Sequence, residues 1–376
     1  MYSISENQIL IENVLFNQGL INRTTVGDMP KLINNMVGMH SSRFSSPTIS
    51  CLARVNTNSL NAILKYIYNS NSLVRIRSIR GTLHIYNKDD WWVYHKATET
   101  QRKRVILYIF KKHQITNYKI KHLRECVFNQ LLNCSKTADD LFEGLNKNPK
   151  LRAMEIDKSI LKIILRVLWE EGRIFRENKS NDWSKEIYSY KLLENKLENK
   201  YYHLTENQAQ NILLQKYFKF YGPTTVEDAF WWTGFNIGTI RNFLNTRKND
   251  YIKIKHSKLN EVFFAETDIS LNQSYSLDNQ VRLLSYEDSL LKGYKYSRYR
   301  FCNKDFLQYI YNNAGEANPC ILIGGKVAGT WKYDKKLNKI LAAPFTGISN
   351  NNKKALNEEL EKYSIAFSCP FSIIMY

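Results

Sequence analysis

The residues best suited to chemistry stand together in the sequence His40-Ser41-Ser42-Arg43. A neutral imidazole with an ordinary pKa of ~6.5 can accept a proton from water. A serine hydroxyl can bond the same water, and an arginine can grip a phosphate. His40 and Ser42 are therefore candidate catalytic residues, and Arg43 is a candidate anion contact. The alternative is that His40 and Ser42 only cap helix ends, where a histidine is stabilising by itself.

Two predicted helices position this connection. The apolar residues within 32–37 recur at helical spacing, and Gly38 is a plausible end of that helix. Ser46 followed by Pro47 predicts an N-cap and the first residue of a second helix. A joint between two helices can hold a few polar side chains rigidly at a surface.

A basic hairpin is predicted after these helices. Residues 73–86 alternate β-branched and polar side chains on either side of a turn at Arg80 and Gly81. Helices followed by a small hairpin are typical of a winged helix. The hairpin carries Arg75, Arg77 and Arg80, so we expect these three residues to contact nucleic acid.

A second unit of the same kind centres on an amphipathic helix between Ile156 and Leu168. Lys158, Lys162 and Arg166 fall at i, i+4 and i+8 on another face of that helix. A core-packed helix with a basic outer stripe suits a phosphate backbone, although such a stripe can also be a solvated face. Residues 174–176 and 187–190 are the predicted strands of the second wing.

The third unit begins near Thr205, and the remainder is mostly β. A capping box of Thr224 with Glu227 opens its first helix. From residue 266 onward we predict strands, a Gly-Gly turn and one helix, forming a small barrel or sheet. The predicted fold class is α+β, with three tandem winged-helix units and a C-terminal barrel-like domain. The predicted domains are 1–95, 96–200, 201–265 and 266–376.

Charge and composition narrow the class of partner. The net charge of +19 fits nucleic acid, an anionic membrane surface, or no partner. The 24 Tyr, 18 Phe and 7 Trp residues add the capacity to stack on bases. The abundance of Lys, Asn, Ile and Tyr is also what an AT-rich genome would produce. Lys and Arg would then be frequent without any functional demand.

Several other classes are disfavoured by what the sequence lacks. No apolar run approaches the ~18 residues that span a bilayer, and the N-terminus lacks the pattern of a signal peptide. The six cysteines form no CxxC pair, and we expect neither disulfides nor a metal site. There is no P-loop, GxGxxG or GxSxG motif. We therefore expect a soluble, cytoplasmic protein.

Blocks of residues spread over most of the chain form an ordered series. They are Asn17-Gln18-Gly19-Leu20, Val37-Gly38-Met39-His40, Arg80-Gly81-Thr82-Leu83-His84-Ile85, Glu171-Gly172-Arg173, Tyr221-Gly222-Pro223-Thr224-Thr225, Trp232-Thr233-Gly234, Arg282-Leu283-Leu284 with Asp288 and Gly293-Tyr294, and Gly325-Lys326-Val327-Ala328-Gly329-Thr330-Trp331. This series resembles the AlkZ/YcaQ-like family of winged-helix DNA glycosylases, which unhook interstrand crosslinks and excise alkylated purines. The resemblance implies three tandem winged helices in a concave arrangement and a C-terminal β-barrel.

The chain departs from the family at its catalytic motif. The family carries Gln-apolar-Gln or Gln-apolar-Asp where this chain has His40-Ser41-Ser42. The expected activity is hydrolysis of the N-glycosidic bond of alkylated or crosslinked purines, with His40 and Ser42 holding the water. We expect His84 to make a structural hydrogen bond and Asp288 to fix a loop.

The expected partner is double-stranded, damaged DNA, bound by a monomer without a cofactor and without a membrane. The main alternative is a DNA-binding or damage-recognition protein that uses the same scaffold without excision. A membrane-surface protein is the third class.

Overall fold

A computed structural model describes residues 6–70, 72–152, 154, 156–180, 182–193, 201–256, 259–265 and 277–374. The chain forms two compact units. Unit 1 consists of Met1–Leu64 together with Leu214–Tyr376, and unit 2 consists of Lys65–Leu213. Helices and strands are mixed in both units, so the predicted α+β class is confirmed.

The N-terminal segment of unit 1 is helical apart from one short strand. Its elements are α1 (Glu6–Asn17), α2 (Met29–Asn35), β1 (Met39–His40), α3 (Ser45–Arg54) and α4 (Leu60–Asn69), the last of which runs into unit 2. Helix α3 begins at Ser45 with Phe44 as its N-cap, so the predicted cap at Ser46 is wrong. Pro47 still lies in the first turn, where its missing N–H removes no helical hydrogen bond.

Among its described residues, unit 2 contains two antiparallel hairpins and the amphipathic helix predicted for the second winged-helix unit. The elements are β2 (Leu73–Arg77), β3 (Leu83–Asn87), α5 (Trp91–Ala97), α6 (Glu99–His113), α7 (Asn117–Leu131), α8 (Ala138–Asn146), α9 (Pro149–Arg152), α10 (Lys158–Glu170), β4 (Ile174–Asn178) and β5 (Tyr188–Leu192). Both hairpins pair as predicted, β2 with β3 and β4 with β5.

The core of unit 2 explains why α10 takes its position. Leu161, Ile164, Leu165 and Leu168 are fully buried in a cluster with apolar residues of α7, α8 and the β4–β5 hairpin. Asp157 caps the helix by accepting a hydrogen bond from the backbone N–H of Ile160, at 2.8 Å. Helices followed by a hairpin around one core match the winged-helix order.

The third helix–hairpin group belongs mostly to unit 1. Its elements are α11 (Glu206–Tyr221), α12 (Val226–Thr233), α13 (Ile237–Thr246), β6 (Tyr251–His256) and β7 (Asn260–Ala265). The predicted capping box of Thr224 with Glu227 is wrong by one residue. Thr225 is the N-cap, and it accepts a hydrogen bond from Asp228 N. The backbone of Thr224 is instead paired with that of Phe263.

The C-terminal part of unit 1 is an open sheet. Its elements are β8 (Val281–Leu284), α14 (Ser289–Lys292), α15 (Leu307–Ile310), β9 (Cys320–Ile323), β10 (Lys326–Asp334), β11 (Lys339–Pro344), α16 (Asn350–Phe367) and β12 (Phe371–Ile373). The strand order is β12-β11-β10-β9-β8, and only β11 and β12 run parallel.

The predicted barrel is therefore corrected to a sheet whose edge strands are β8 and β12 among the described residues. Helix α16 packs on this sheet. The Tyr363 hydroxyl donates to Leu283 O at 2.8 Å, and the Tyr363 ring lies edge-on to Trp331. A helix thus covers the apolar face that a closed barrel would bury against its own strands.

The two compact units are a coarser division of the chain than the four predicted domains, which stay predictions. The junction at Lys65 falls inside predicted domain 1–95, and the junction at Leu214 falls inside predicted domain 201–265. Residues 200 and 266, which mark two of the predicted boundaries, lie outside the described residues. The finer boundaries stay predictions.

Candidate active site

The connection that carries His40 and Ser42 is shaped by two left-handed residues. Helix α2 ends at Asn35 with Met36 as its C-cap. Val37 and Gly38 follow with φ of +56° and +90°. The helix therefore ends three residues before Gly38, the residue predicted to end it. A β-branched residue at positive φ is strained, and complete burial of Val37 holds it there.

After this turn the side chains alternate in direction. Met39 and Ser41 are buried, whereas His40 is 11% exposed at its side chain and Ser42 is exposed. Alternation is the expected result of extended backbone, in which successive side chains point to opposite faces. His40 and Ser42 consequently share one face, and the Ser42 hydroxyl oxygen lies 3.1 Å from His40 Nε2.

Glu287 lies beside this pair. Its Oε2 is 3.8 Å from His40 Nε2 and 2.7 Å from the ammonium nitrogen of Lys292. The side chain of Glu287 is only 4% exposed, and its Oε1 accepts a hydrogen bond from Ala317 N at 2.6 Å. The imidazole therefore faces a hydroxyl and a fixed carboxylate that is itself paired with a lysine.

Arg43 and Tyr286 form a second layer of the site. The guanidinium carbon of Arg43 lies 3.5 Å above the centre of the Tyr286 ring, a cation–π geometry. Burial, followed by a hydrogen bond to Glu316, raises the pKa of Tyr286 well above its usual range. Tyr286 therefore stays neutral, and the exposed guanidinium of Arg43 rests on a buried aromatic ring.

A fully buried ion pair supports the loop of Glu287 from below. Arg54 donates to both carboxylate oxygens of Asp288, at 2.9 and 2.7 Å. Its guanidinium also donates to Gln18 O and to the Ser289 hydroxyl. Asp288 accepts a further bond from Leu290 N and so caps α14. These contacts agree with the expectation that Asp288 fixes a loop.

A thiol, Cys51 on α3, lies close to the site. Its sulfur lies 3.6 Å from that of Met39. Burial raises the pKa of the Cys51 thiol to about 12, and a protonated thiol is a poor nucleophile. Cysteine chemistry is thus disfavoured at this position, which leaves the imidazole, hydroxyl and carboxylate as the reactive groups.

The arginines of the first wing differ in their surroundings. Arg75 is buried and ion-paired with Glu186. Arg77 is paired with Glu170 at 2.5 Å. Arg80 is exposed at the turn between β2 and β3. Arg75 and Arg77 are thus ion-paired with carboxylates of unit 2. Of the three predicted wing contacts, Arg80 is the one whose side chain is exposed at the surface.

The predicted basic stripe of α10 lies at the surface. Lys158, Lys162 and Arg166 are all exposed. Lys158 forms an ion pair with Asp139 at 2.5 Å, in which both side chains are largely exposed. The stripe is opposite the buried apolar face of the same helix, as the spacing predicts. His84 is buried and contacts Thr82 O at 3.4 Å, in line with the structural hydrogen bond that we expect.

The described residues form neither a metal-ion site nor a membrane-spanning helix. In the described part of the chain, no cluster of three His, Cys, Asp or Glu side chains is placed to hold a metal ion. No helix among the described residues is both long and apolar enough to cross a membrane.

Sequence reasoning missed Glu287, Lys292 and Tyr286. They flank Asp288, which stands out within a leucine-rich segment. The signal for them in the sequence is weak, because an acidic residue beside Asp288 has no distinctive spacing relative to His40. The structure alone brings the two segments together.

The comparisons with known proteins identify one family. A family described as DNA glycosylase AlkZ-like matches residues 33–364. The chain belongs to the AlkZ-like DNA glycosylase family, as the ordered blocks predict, and a role in DNA repair follows from that membership.

A solved structure shows the same fold. The chain is similar to the DNA glycosylase AlkZ of Streptomyces sahachiroi, with a TM-score of 0.76 and 17% sequence identity. The likeness covers 99% of this chain and 100% of that one. The comparison with curated proteins gives no significant match.

Proposed function

We propose that this protein hydrolyses the N-glycosidic bond of alkylated or crosslinked purines in DNA, with a water positioned by His40 and Ser42. One observation carries the proposal. The Ser42 hydroxyl lies 3.1 Å from His40 Nε2, in the segment where the family has its catalytic amides. A polar pair is therefore present where the glutamines are missing.

The reaction suits a modest catalyst. A purine alkylated at N7 or N3 carries positive charge and leaves readily with the electron pair of the bond to the sugar. The sugar then has oxocarbenium character, as in other glycoside hydrolyses. A neutral His40 takes a proton from the attacking water, Ser42 holds that water, and an abasic site remains. A protonated His40 would repel the developing cation.

DNA binding in this proposal rests on exposed basic residues. Arg43 lies beside the reacting groups, and Arg80 lies at a hairpin turn. Lys158, Lys162 and Arg166 form the α10 stripe. Neutralising phosphates with such residues releases counterions and supplies affinity without reading sequence. We propose that the protein acts as a monomer on damaged double-stranded DNA in the cytoplasm, at the nucleoid.

The test uses duplex DNA that contains N7-methylguanine or a nitrogen-mustard crosslink. Purified wild-type protein should release the modified base and leave abasic sites, detected by alkaline cleavage. His40→Ala should lower the single-turnover rate by about 100-fold, the size of a lost general base. Ser42→Ala should lower it less, because a hydroxyl only orients the water. DNA affinity should be unchanged in both variants.

A non-catalytic role in damage recognition is the second candidate. The replacement of both family glutamines by His40-Ser41-Ser42 favours it. Tight binding of damaged duplex with no abasic product, from wild-type protein as well as from the variants, would establish that role and overturn the glycosylase proposal.

A further inference from the structure

We propose that Glu287 is a positioning residue for this reaction, and that its ion pair with Lys292 sets the charge of His40. The inference rests on the proposed hydrolysis. It adds a carboxylate to a site that lacks both of the family's amides, and it gives that carboxylate an electrostatic role that acts through the imidazole.

The backbone holds Glu287 in an unusual conformation. Its φ is +55°, which a non-glycine residue adopts at some cost in free energy. Two hydrogen bonds with Ala317 fix it there. Glu287 N donates to Ala317 O at 2.9 Å, and Ala317 N donates to Glu287 Oε1 at 2.6 Å. One carboxylate oxygen is thus anchored to the main chain, and the other is directed to His40 and Lys292.

Glu287 and Lys292 have opposite effects on the charged form of His40. A carboxylate 3.8 Å from His40 Nε2 favours the charged imidazolium. The ammonium of Lys292, 2.7 Å from the same carboxylate oxygen, offsets that attraction. With both present the imidazole can be neutral before the reaction. Once the imidazole takes the proton of the attacking water, the negative charge of Glu287 stabilises the imidazolium.

Arg43, Glu316, Arg54 and Asp288, which are other charged groups of unit 1 close to the site, have partners of their own. Arg43 lies over Tyr286, whose hydroxyl bonds Glu316. Arg54 is paired with Asp288, the residue after Glu287. Glu287 faces His40 directly, with 3.8 Å between its Oε2 and His40 Nε2. The charges of the Glu287–Lys292 pair therefore act directly on His40.

The test compares two variants by the pH dependence of single-turnover base excision, with enzyme at saturating concentration. Glu287→Gln keeps the shape and removes the negative charge. It should lower the rate at pH 7 by about tenfold or more, because a weaker base accepts the water proton less well. The acidic limb of its profile should move to lower pH, since the pKa of His40 falls when the carboxylate is lost.

Lys292→Met should move the same limb in the opposite direction. Loss of the ammonium raises the pKa of His40, so the rate should fall at pH 6 and persist at pH 8. Opposite displacements cannot come from a general loss of packing. Glu359→Gln is the matched control, because Glu359 is also buried and ion-paired, with Arg23, and its profile should not move.

Failure of this inference differs from failure of the proposed function. An active wild-type protein whose acidic limb is the same in Glu287→Gln and Lys292→Met would overturn the role of Glu287 and leave the hydrolysis standing. Displacement of the limb in one direction by both variants would overturn that role as well. A wild-type protein without any excision would overturn both the role of Glu287 and the hydrolysis.

Discussion

At the scale of single residues, the buried ion pair Arg54–Asp288 is the contact whose loss should destabilise the protein most. Both side chains are fully buried, and two hydrogen bonds join them. Removing two charges from water is costly, and mutual pairing together with further hydrogen bonds compensates for it. The pair joins α3, which follows the His40 connection, to the start of α14, which follows Glu287. It therefore fixes the two segments of the site to each other.

Asp288→Asn should be strongly destabilising. It leaves the guanidinium of Arg54 buried without a charged partner, a change that costs about 3–5 kcal/mol. Thermal denaturation should show a clear loss of melting temperature. Asp139→Asn breaks the exposed pair with Lys158 and should cost at most about 1 kcal/mol. Equal effects of the two substitutions would contradict this assignment.

The residues of the site were only partly predictable. His40 and Ser42 could be proposed as candidates because they are close in sequence and their chemistry is visible in their types. Glu287 could not, because its approach to His40 depends on long-range contacts such as Arg54–Asp288, which spans 234 positions. A sequence shows which side chains can react and does not show which loops meet. The burial of Arg75 and its pairing with Glu186 were hidden for the same reason.

At the scale of elements, local patterns predicted most helices and hairpins. The β2–β3 and β4–β5 pairs have alternating side chains and polar turns, which are short-range signals. The errors lie where distant segments compete for a residue. Thr224 has the residue type of an N-cap, but its backbone pairs with Phe263, so capping passes to Thr225. The prediction of a barrel was wrong for the same reason, because a sequence does not show that α16 covers the sheet.

Gly329 is the position where the sheet depends on a missing side chain. It lies at an irregularity in the pairing of β10 with β9. A Cβ there would lie 2.6 Å from Ala343 O and 2.7 Å from the Cα of Pro344. Because both atoms are backbone, β11 would have to move. Gly329→Ala should destabilise the protein by about 1–3 kcal/mol, measured by thermal denaturation.

Gly347 supplies the control for this substitution. A Cβ at Gly347 meets nothing within 4 Å, so Gly347→Ala should leave the melting temperature unchanged or raise it slightly, by restricting the unfolded chain. A destabilisation as large as that of Gly329→Ala would mean that glycine content, rather than the close approach of β11, determines the effect.

At the scale of the whole molecule, the net charge of +19 should govern DNA affinity. The affinity for duplex DNA should fall steeply with salt, because each neutralised phosphate releases about 0.9 counterion. Replacing Lys158, Lys162 and Arg166 by Gln should lower the slope of log K against log salt by about 2–3. Fluorescence anisotropy over a salt series measures this slope.

The control removes the same number of charges from other exposed positions, Lys336, Lys353 and Lys354. If the α10 stripe contacts DNA, this triple variant should keep the wild-type slope. An equal loss of slope in both triple variants would indicate that total charge alone drives binding, as an AT-rich composition would produce, and would remove the stripe from the DNA contact.

The division into units has a consequence for synthesis. Residues 65–213 interrupt unit 1, so Arg54 is made 234 residues before Asp288. At about 5–20 residues per second, the ribosome needs roughly 10–50 s to cover that interval. Unit 2 is meanwhile complete and can close around its own core. The His40 segment must therefore wait on the nascent chain until the segment of Glu287 and Asp288 has been made.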